Sequence, residues 1–254
     1  MVLTKRHLAI FAVILLVMLS LTVAALTDNG DAAVSASARE LPIYSVQSET
    51  ARVALTFDAA WGAEDTQILI DALAKYGAKA TFFVVGEWVD KYPDAVRSLH
   101  AAGHSVMNHS DTHPHMTQLG AEGIMQEANR ASDKIEKITG IRPDLLRVPY
   151  GDYNDTVIKT LRSGGYQVIQ WDVDSLDWKD LSANEICRRV TDKVKPGSIV
   201  LFHNAAKHTP EALPVILANL KDKGYEFVTV SELILRENYY IDHTGKQMPS
   251  VELN

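Results

Sequence analysis

Between residues 51 and 235 the chain repeats one alternation. A short run rich in β-branched and aromatic residues is followed by a stretch of helical periodicity with clear stop signals. The short runs cover residues 53–57, 80–85, 105–108, 145–147, 167–171, 198–202 and 226–229. Among the helical stretches, Pro93 stands where a first helical residue is favoured, and Gly103 follows the end. A stretch from Glu122 to Thr139 is stopped by Gly140, one from Asn154 to Ser163 by Gly164 and Gly165, and one opened by Pro210 by Gly224. Such alternation predicts the α/β class, a parallel sheet with helices outside it. Seven units suit a closed or nearly closed barrel better than an open sheet. In a parallel barrel all strand C-termini open on one mouth, where active sites are built. The unusual polar residues stand there: Asp58 after the first run, His109 after the third, Arg147 ending the fourth, Asp174 and Asp177 after the fifth, His203 after the sixth.

The flanks have a different character. Lys5, Arg6 and His7 precede an apolar run reaching Leu26, interrupted by Ser20 and Thr22. A basic flank before an apolar run predicts a secretion signal or a membrane anchor in residues 1–26. Either leaves the remainder extracytoplasmic, secreted or tied to a bacterial membrane. Residues 27–50, rich in Ala, Ser, Asp and Glu, are expected to be a linker. The folded domain is expected over 51–236, with an irregular tail over 237–254. With a net charge of −7 and no dense Lys/Arg cluster, nucleic-acid binding is not expected. The single cysteine, Cys187, excludes an intrachain disulfide and a multi-cysteine zinc site, so any metal falls to His and carboxylate.

Four local patterns carry chemistry. In Asn108-His109-Ser110-Asp111-Thr112-His113-Pro114, two imidazoles four residues apart in a loop can bind one divalent cation, or can be a pair of surface histidines. Asp58, at the end of an apolar strand, needs a partner for its charge; Arg147 can hold it ionised and ready to accept a proton, unless both form an ordinary rim ion pair. In the stretch from Trp171 to Trp178, Asp172, Asp174 and Asp177 lie between two tryptophans. Trp faces stack on sugar rings and an acid can orient a histidine, although a capped turn with core tryptophans would look the same. His203 ends the apolar strand Ile199-Val200-Leu201-Phe202; beside an acid it could donate a proton to a leaving amine.

In this order the patterns resemble those of the polysaccharide deacetylase family, carbohydrate esterase family four. His-Ser-x-x-His-Pro and Arg-x-Pro-Tyr-Gly are the most specific. The resemblance covers about residues 51–235 and implies a distorted (β/α)7-8 barrel that removes acetyl groups from sugars. It implies Asp58 as catalytic base, His109 and His113 as metal ligands, and Arg147 as the holder of the base. Tyr150 would offer its backbone N–H to the oxyanion, Asp177 would tune His203 as general acid, and Trp178 would form an apolar wall. Trp61 and Tyr150 join Trp178 as expected sugar contacts. The implied cofactor is a divalent metal, zinc first, with cobalt or manganese as alternatives; the implied partner is an N-acetylated cell-wall or chitin-like glycan. Phe-Asp-Ala-Ala-Trp-Gly and the N-terminal segment look most like the sporulation-associated members of Gram-positive bacteria. One position departs from the pattern: the family's second Asp, its third metal ligand, is Ala59 here. Non-catalytic glycan binding on the same fold is the alternative that this favours.

Overall fold

Strand β2 (Arg52–Ala59) is the centre of the sheet, and its sequence shows why. Residues alternate sides along a strand. Val53, Leu55, Phe57 and Ala59 point outward into a core shared with the surrounding helices. Ala54 belongs to the cluster that fills the barrel, and the polar groups of Thr56 and Asp58 reach Arg147 there. Both faces are apolar because both are covered, the mark of a central parallel strand.

The structure, a computed structural model, describes residues 39–250. The expected anchor or signal over 1–26 and the first half of the expected linker lie outside the described residues. After β1 (Ser45–Val46) and β2, the chain continues through α1 (Thr66–Lys75), β3 (Ala80–Val84), α2 (Gly86–Lys91), α3 (Pro93–Ala101) and β4 (Ser105–Asn108). Then come α4 (Ala121–Thr139), β5 (Leu145–Leu146), α5 (Asp155–Ser163), β6 (Gln167–Val168), β7 (Val173–Asp174) and α6 (Ala183–Thr191). β8 (Ile199–His203), α7 (Thr209–Asp222), β9 (Glu226–Phe227) and α8 (Val230–Leu233) complete the alternation, followed by β10 (Tyr239–Ile241) and β11 (Lys246–Pro249). The main sheet runs β6-β5-β4-β3-β2-β8-β7, with every pairing parallel, and β9 joins the start of β2. This is a distorted (β/α)7 barrel, curled and incompletely closed.

The distortion has a local cause. The single strand expected over 167–171 is two short ones: β6 pairs with β5 and β7 pairs with β8, so the chain crosses the opening of the barrel between them. Part of the expected linker fills that opening. Ile43 donates its N–H to the Val168 carbonyl at 2.9 Å and accepts from Gln170 N–H at 2.7 Å. Val46 donates to the Gly197 carbonyl at 2.9 Å. Gly197 has φ +84°, and a Cβ there would collide with the Val46 carbonyl, so the approach requires glycine. Residues 43–46 are therefore a strap and not linker; buried Ile43 and Val46 belong to the barrel core. The expected irregular tail is likewise structured: β11 pairs with β1 and β10, and Gln247 is buried, its amide bonded to the backbone of Leu235. A strand too short to show periodicity gives no sequence signal, which is why both flanks read as irregular.

Candidate active site

All parallel strands deliver their C-termini to one mouth, and there a cleft of about 550 Å³ opens. Asp58, Trp61, His109, His113, Tyr150, Trp178 and His203 all line it, so seven of the nine residues expected from the sequence converge. The other two, Arg147 and Asp177, lie directly behind Asp58 and His203.

Arg147 follows β5 and points into the barrel, fully buried. Its guanidinium donates to Asp58 Oδ1 at 2.7 Å, to Thr56 Oγ1 at 2.8 Å and to the Gln170 carbonyl at 3.1 Å. It lies 4.3 Å from the Phe83 ring centroid and 5.4 Å from that of Trp171. Burial alone would push the Asp58 carboxyl up. The Arg147 charge, the nearby His109 and His203 and the bond from Arg147 together outweigh it and hold Asp58 below the usual carboxylate range. Burial also lowers the pKa of Arg147, against the charge of Asp58, but guanidinium stays protonated.

His109 is fixed by its other ring nitrogen. Nδ1 lies 2.8 Å from the Arg147 carbonyl, which can only accept, so Nδ1 carries the hydrogen. Burial holds the ring pKa below the ordinary imidazole value, leaving Nε2 with a lone pair. That lone pair faces Asp58 Oδ2 at 3.5 Å. Two acceptors thus face each other across the cleft floor. The edge of His113 meets the His109 ring at a centroid distance of 5.0 Å, and burial, helped by the nearby His109, lowers the His113 pKa to about 4. Two neutral imidazoles with free lone pairs are donors that suit a divalent cation. The loop bearing them is tightly held. Asn108 bonds the Ala128 carbonyl and Ser132 on α4 while accepting from Ser110 N–H. Glu127 of α4 accepts from the N–H groups of Asp111 and Thr112.

The family's third metal ligand, a carboxylate, has no substitute among the described residues: they contain no group of three or more His, Cys, Asp or Glu placed to hold a metal. Ala59, with only a methyl group, cannot take that place. It pairs with Val84 in β3 and its side chain is buried in the outer core, on the face opposite Asp58.

Across the cleft His203 ends β8. Its Nδ1 donates to Asp177 Oδ1 at 2.8 Å, and Asp177 Oδ2 accepts from His203 N–H at 2.8 Å and Thr209 Oγ1 at 2.7 Å. Burial opposes the charged ring, but the bond to Asp177 and its charge outweigh this and raise the His203 pKa. The three acids of the Trp171–Trp178 stretch divide their tasks. Asp172 bonds Ser198 and Ile199 N–H, Asp174 turns back to Leu176 N–H, and Asp177 alone supports a histidine. Trp61, Tyr150 and Trp178 are each more than half exposed at the rim. Glu127 and Thr209 carry no periodicity or motif that singles them out in the sequence, and only their contacts reveal them.

This barrel and mouth define a class that comparison bears out. The polysaccharide deacetylase family model matches residues 45–169. The chain is 32% identical over 194 residues to a peptidoglycan-N-acetylglucosamine deacetylase of Bacillus cereus, covering 75% of this chain and 70% of the relative. It is 39% identical over 181 residues to peptidoglycan-N-acetylmuramic acid deacetylase PdaC of Bacillus subtilis, covering 71% of this chain but only 38% of the relative. Among solved structures, the Bc1960 peptidoglycan N-acetylglucosamine deacetylase matches with a TM-score of 0.73 at 31% identity, over 76% of this chain and 92% of that one. BA3943 of Bacillus anthracis, described as a CE4 family pseudoenzyme, matches with a TM-score of 0.73 at 34% identity, over 76% and 70%. The chain belongs to the polysaccharide deacetylase family, carbohydrate esterase family four.

Proposed function

We propose that this chain is an extracytoplasmic deacetylase that hydrolyses the N-acetyl groups of a cell-wall glycan. One observation carries the reading: an arginine-held carboxylate and a carboxylate-held histidine face one cleft with two neutral imidazoles on its floor. The relatives named as peptidoglycan deacetylases support the substrate class.

His109 and His113 would hold a divalent cation, zinc first among those suited to imidazole, which when bound polarises the acetyl carbonyl and acidifies water. The chain's own groups do the rest. Asp58, ionised by Arg147, accepts the proton of the attacking water through Oδ2, since Oδ1 is taken. The N–H of Tyr150 donates to the developing oxyanion. His203, kept protonated by Asp177, gives its proton to the departing amine as the C–N bond breaks. Water is consumed; acetate and a free sugar amine are released. Trp61, Trp178 and Tyr150 offer exposed ring faces on which sugar can stack.

Acetate release from N-acetylated cell-wall oligomers, with and without added zinc, cobalt or manganese, tests this. Metal-stimulated release that Asp58→Asn removes is the expected result. A second reading, glycan binding without catalysis, is favoured by Ala59, which leaves the site without the family's third ligand. Oligomer binding with no acetate under any metal would establish it.

A further inference from the structure

Behind the oxyanion side of the cleft lies a second Asp–His–Thr cluster. His115 Nδ1 lies 3.1 Å from Asp152 Oδ2, and Thr117 Oγ1 donates to the same oxygen at 2.5 Å. The pattern repeats that of His203, Asp177 and Thr209, but His115 does not line the cleft. Instead its ring stacks on Tyr150, with centroids 4.2 Å apart and planes 17° from parallel. The other neighbour of the Tyr150 ring is His113, edge-on at 4.5 Å. Tyr150 is thus held between the two imidazoles of one loop.

The tyrosine needs holding. Its φ is +60°, the left-handed region, where a non-glycine residue is disfavoured because Cβ crowds the backbone. Its side chain is mostly exposed, so burial contributes little to fixing it. The short turn Pro149–Gly151 that carries it is tied down by Asp152 N–H bonding the Pro149 carbonyl, and Asp152 is the residue that His115 and Thr117 grip. One carboxylate therefore couples the loop after β4, which bears His113, to the loop after β5, which bears the Tyr150 N–H.

We infer that His115 and Asp152 are positioning residues, clamping Tyr150 in its left-handed conformation so that its N–H faces the reacting carbonyl. This rests on the deacetylase reading only for its kinetic arm. A misaimed oxyanion donor loses transition-state stabilisation more than ground-state binding. His115→Ala should therefore lower kcat by roughly 10–100-fold, with KM changed less than about threefold. His115→Phe retains the stack and should recover most of the loss. Asp152→Asn, which can still accept from His115 and Thr117, should stay near wild type, whereas Asp152→Ala should resemble His115→Ala. The structural arm needs no activity: a crystal structure of His115→Ala should show Tyr150 leaving the left-handed region. Tyr150 unmoved in that variant, or kcat unchanged in an active enzyme, overturns the inference. A wild type that releases no acetate refutes the deacetylase reading instead, and the crystal structure then decides the clamp alone.

Discussion

His109 follows β4 and His203 ends β8, two strands that face one cleft with β3 and β2 between them, yet their surroundings push them in opposite directions. His109 is sealed off, its side chain 3% exposed, with Nδ1 given to a neutral carbonyl, so burial favours the uncharged ring. His203 is 14% exposed and gives Nδ1 to a fully buried carboxylate whose charge favours the imidazolium. The same side chain becomes a lone-pair donor on one wall and a proton donor on the other. What differs is the second-nitrogen partner, carbonyl or carboxylate. Asp58 and Asp177 divide similarly: one is held by a cation and freed on the cleft side, the other is consumed entirely by donors.

The largest expected break in this comparison comes from removing the two titrating groups themselves. Asp58→Asn and His203→Ala should each lower turnover by roughly 10²–10⁴, the usual worth of a positioned base or acid. His203→Ala should leave zinc binding unchanged by calorimetry, because the proposed ligands are on the other wall. Equal activity in either variant, or loss of zinc binding in His203→Ala, would erase the distinction between the walls.

Ala59→Asp tests the floor between them. Because the side chain points into the outer core, the new carboxylate would be buried away from His109 and His113. Thermal or urea unfolding should show a loss of at least about 2 kcal/mol, the order expected for an unpaired polar group in a core. Zinc affinity should not rise. Tighter zinc binding without a stability cost would mean that the end of β2 can release residue 59 to the mouth.

The finest test is Asp177→Asn. In the proposed mechanism activity needs Asp58 ionised and His203 protonated, so the acid limb of the pH–rate profile would belong to Asp58 and the alkaline limb to His203. Asp58 is held low, so the acid limb should lie below the ordinary carboxylate range, and His203 is raised, so the alkaline limb should lie above the ordinary imidazole value. Removing the Asp177 charge removes the largest of the charge contributions that raise His203, those of Asp58 and Asp174 remaining. The alkaline limb should move to lower pH while the acid limb stays in place. A limb that does not move would make Asp177 a structural carboxylate only.

Much of this was legible in the sequence because it is local. Pro93 does open α3, Gly140 closes α4 with φ +73°, and Asn154 caps α5 by accepting from Val157 N–H. Parallel topology then carried the polar strand ends to one mouth without further information. Helix α2 is only six residues long, and the strap at 43–46 and the strands β10 and β11 are too short to carry a period. The His115–Asp152 tie was invisible for another reason: its members are 37 residues apart and fit no motif.

The sequence by itself determined which residues could do chemistry and on which end of the barrel they would stand, since strand alternation and parallel order are properties of the chain. It could not determine charge state, direction of approach or vacancy. Whether His109 is neutral and His203 charged depends on a carbonyl and a carboxylate delivered from distant segments. Ala59 reads as a gap among the metal ligands when only the motif is considered. In the folded chain Ala59 also pairs with Val84 in β3 and is buried in the outer core, a packing that the motif does not reveal.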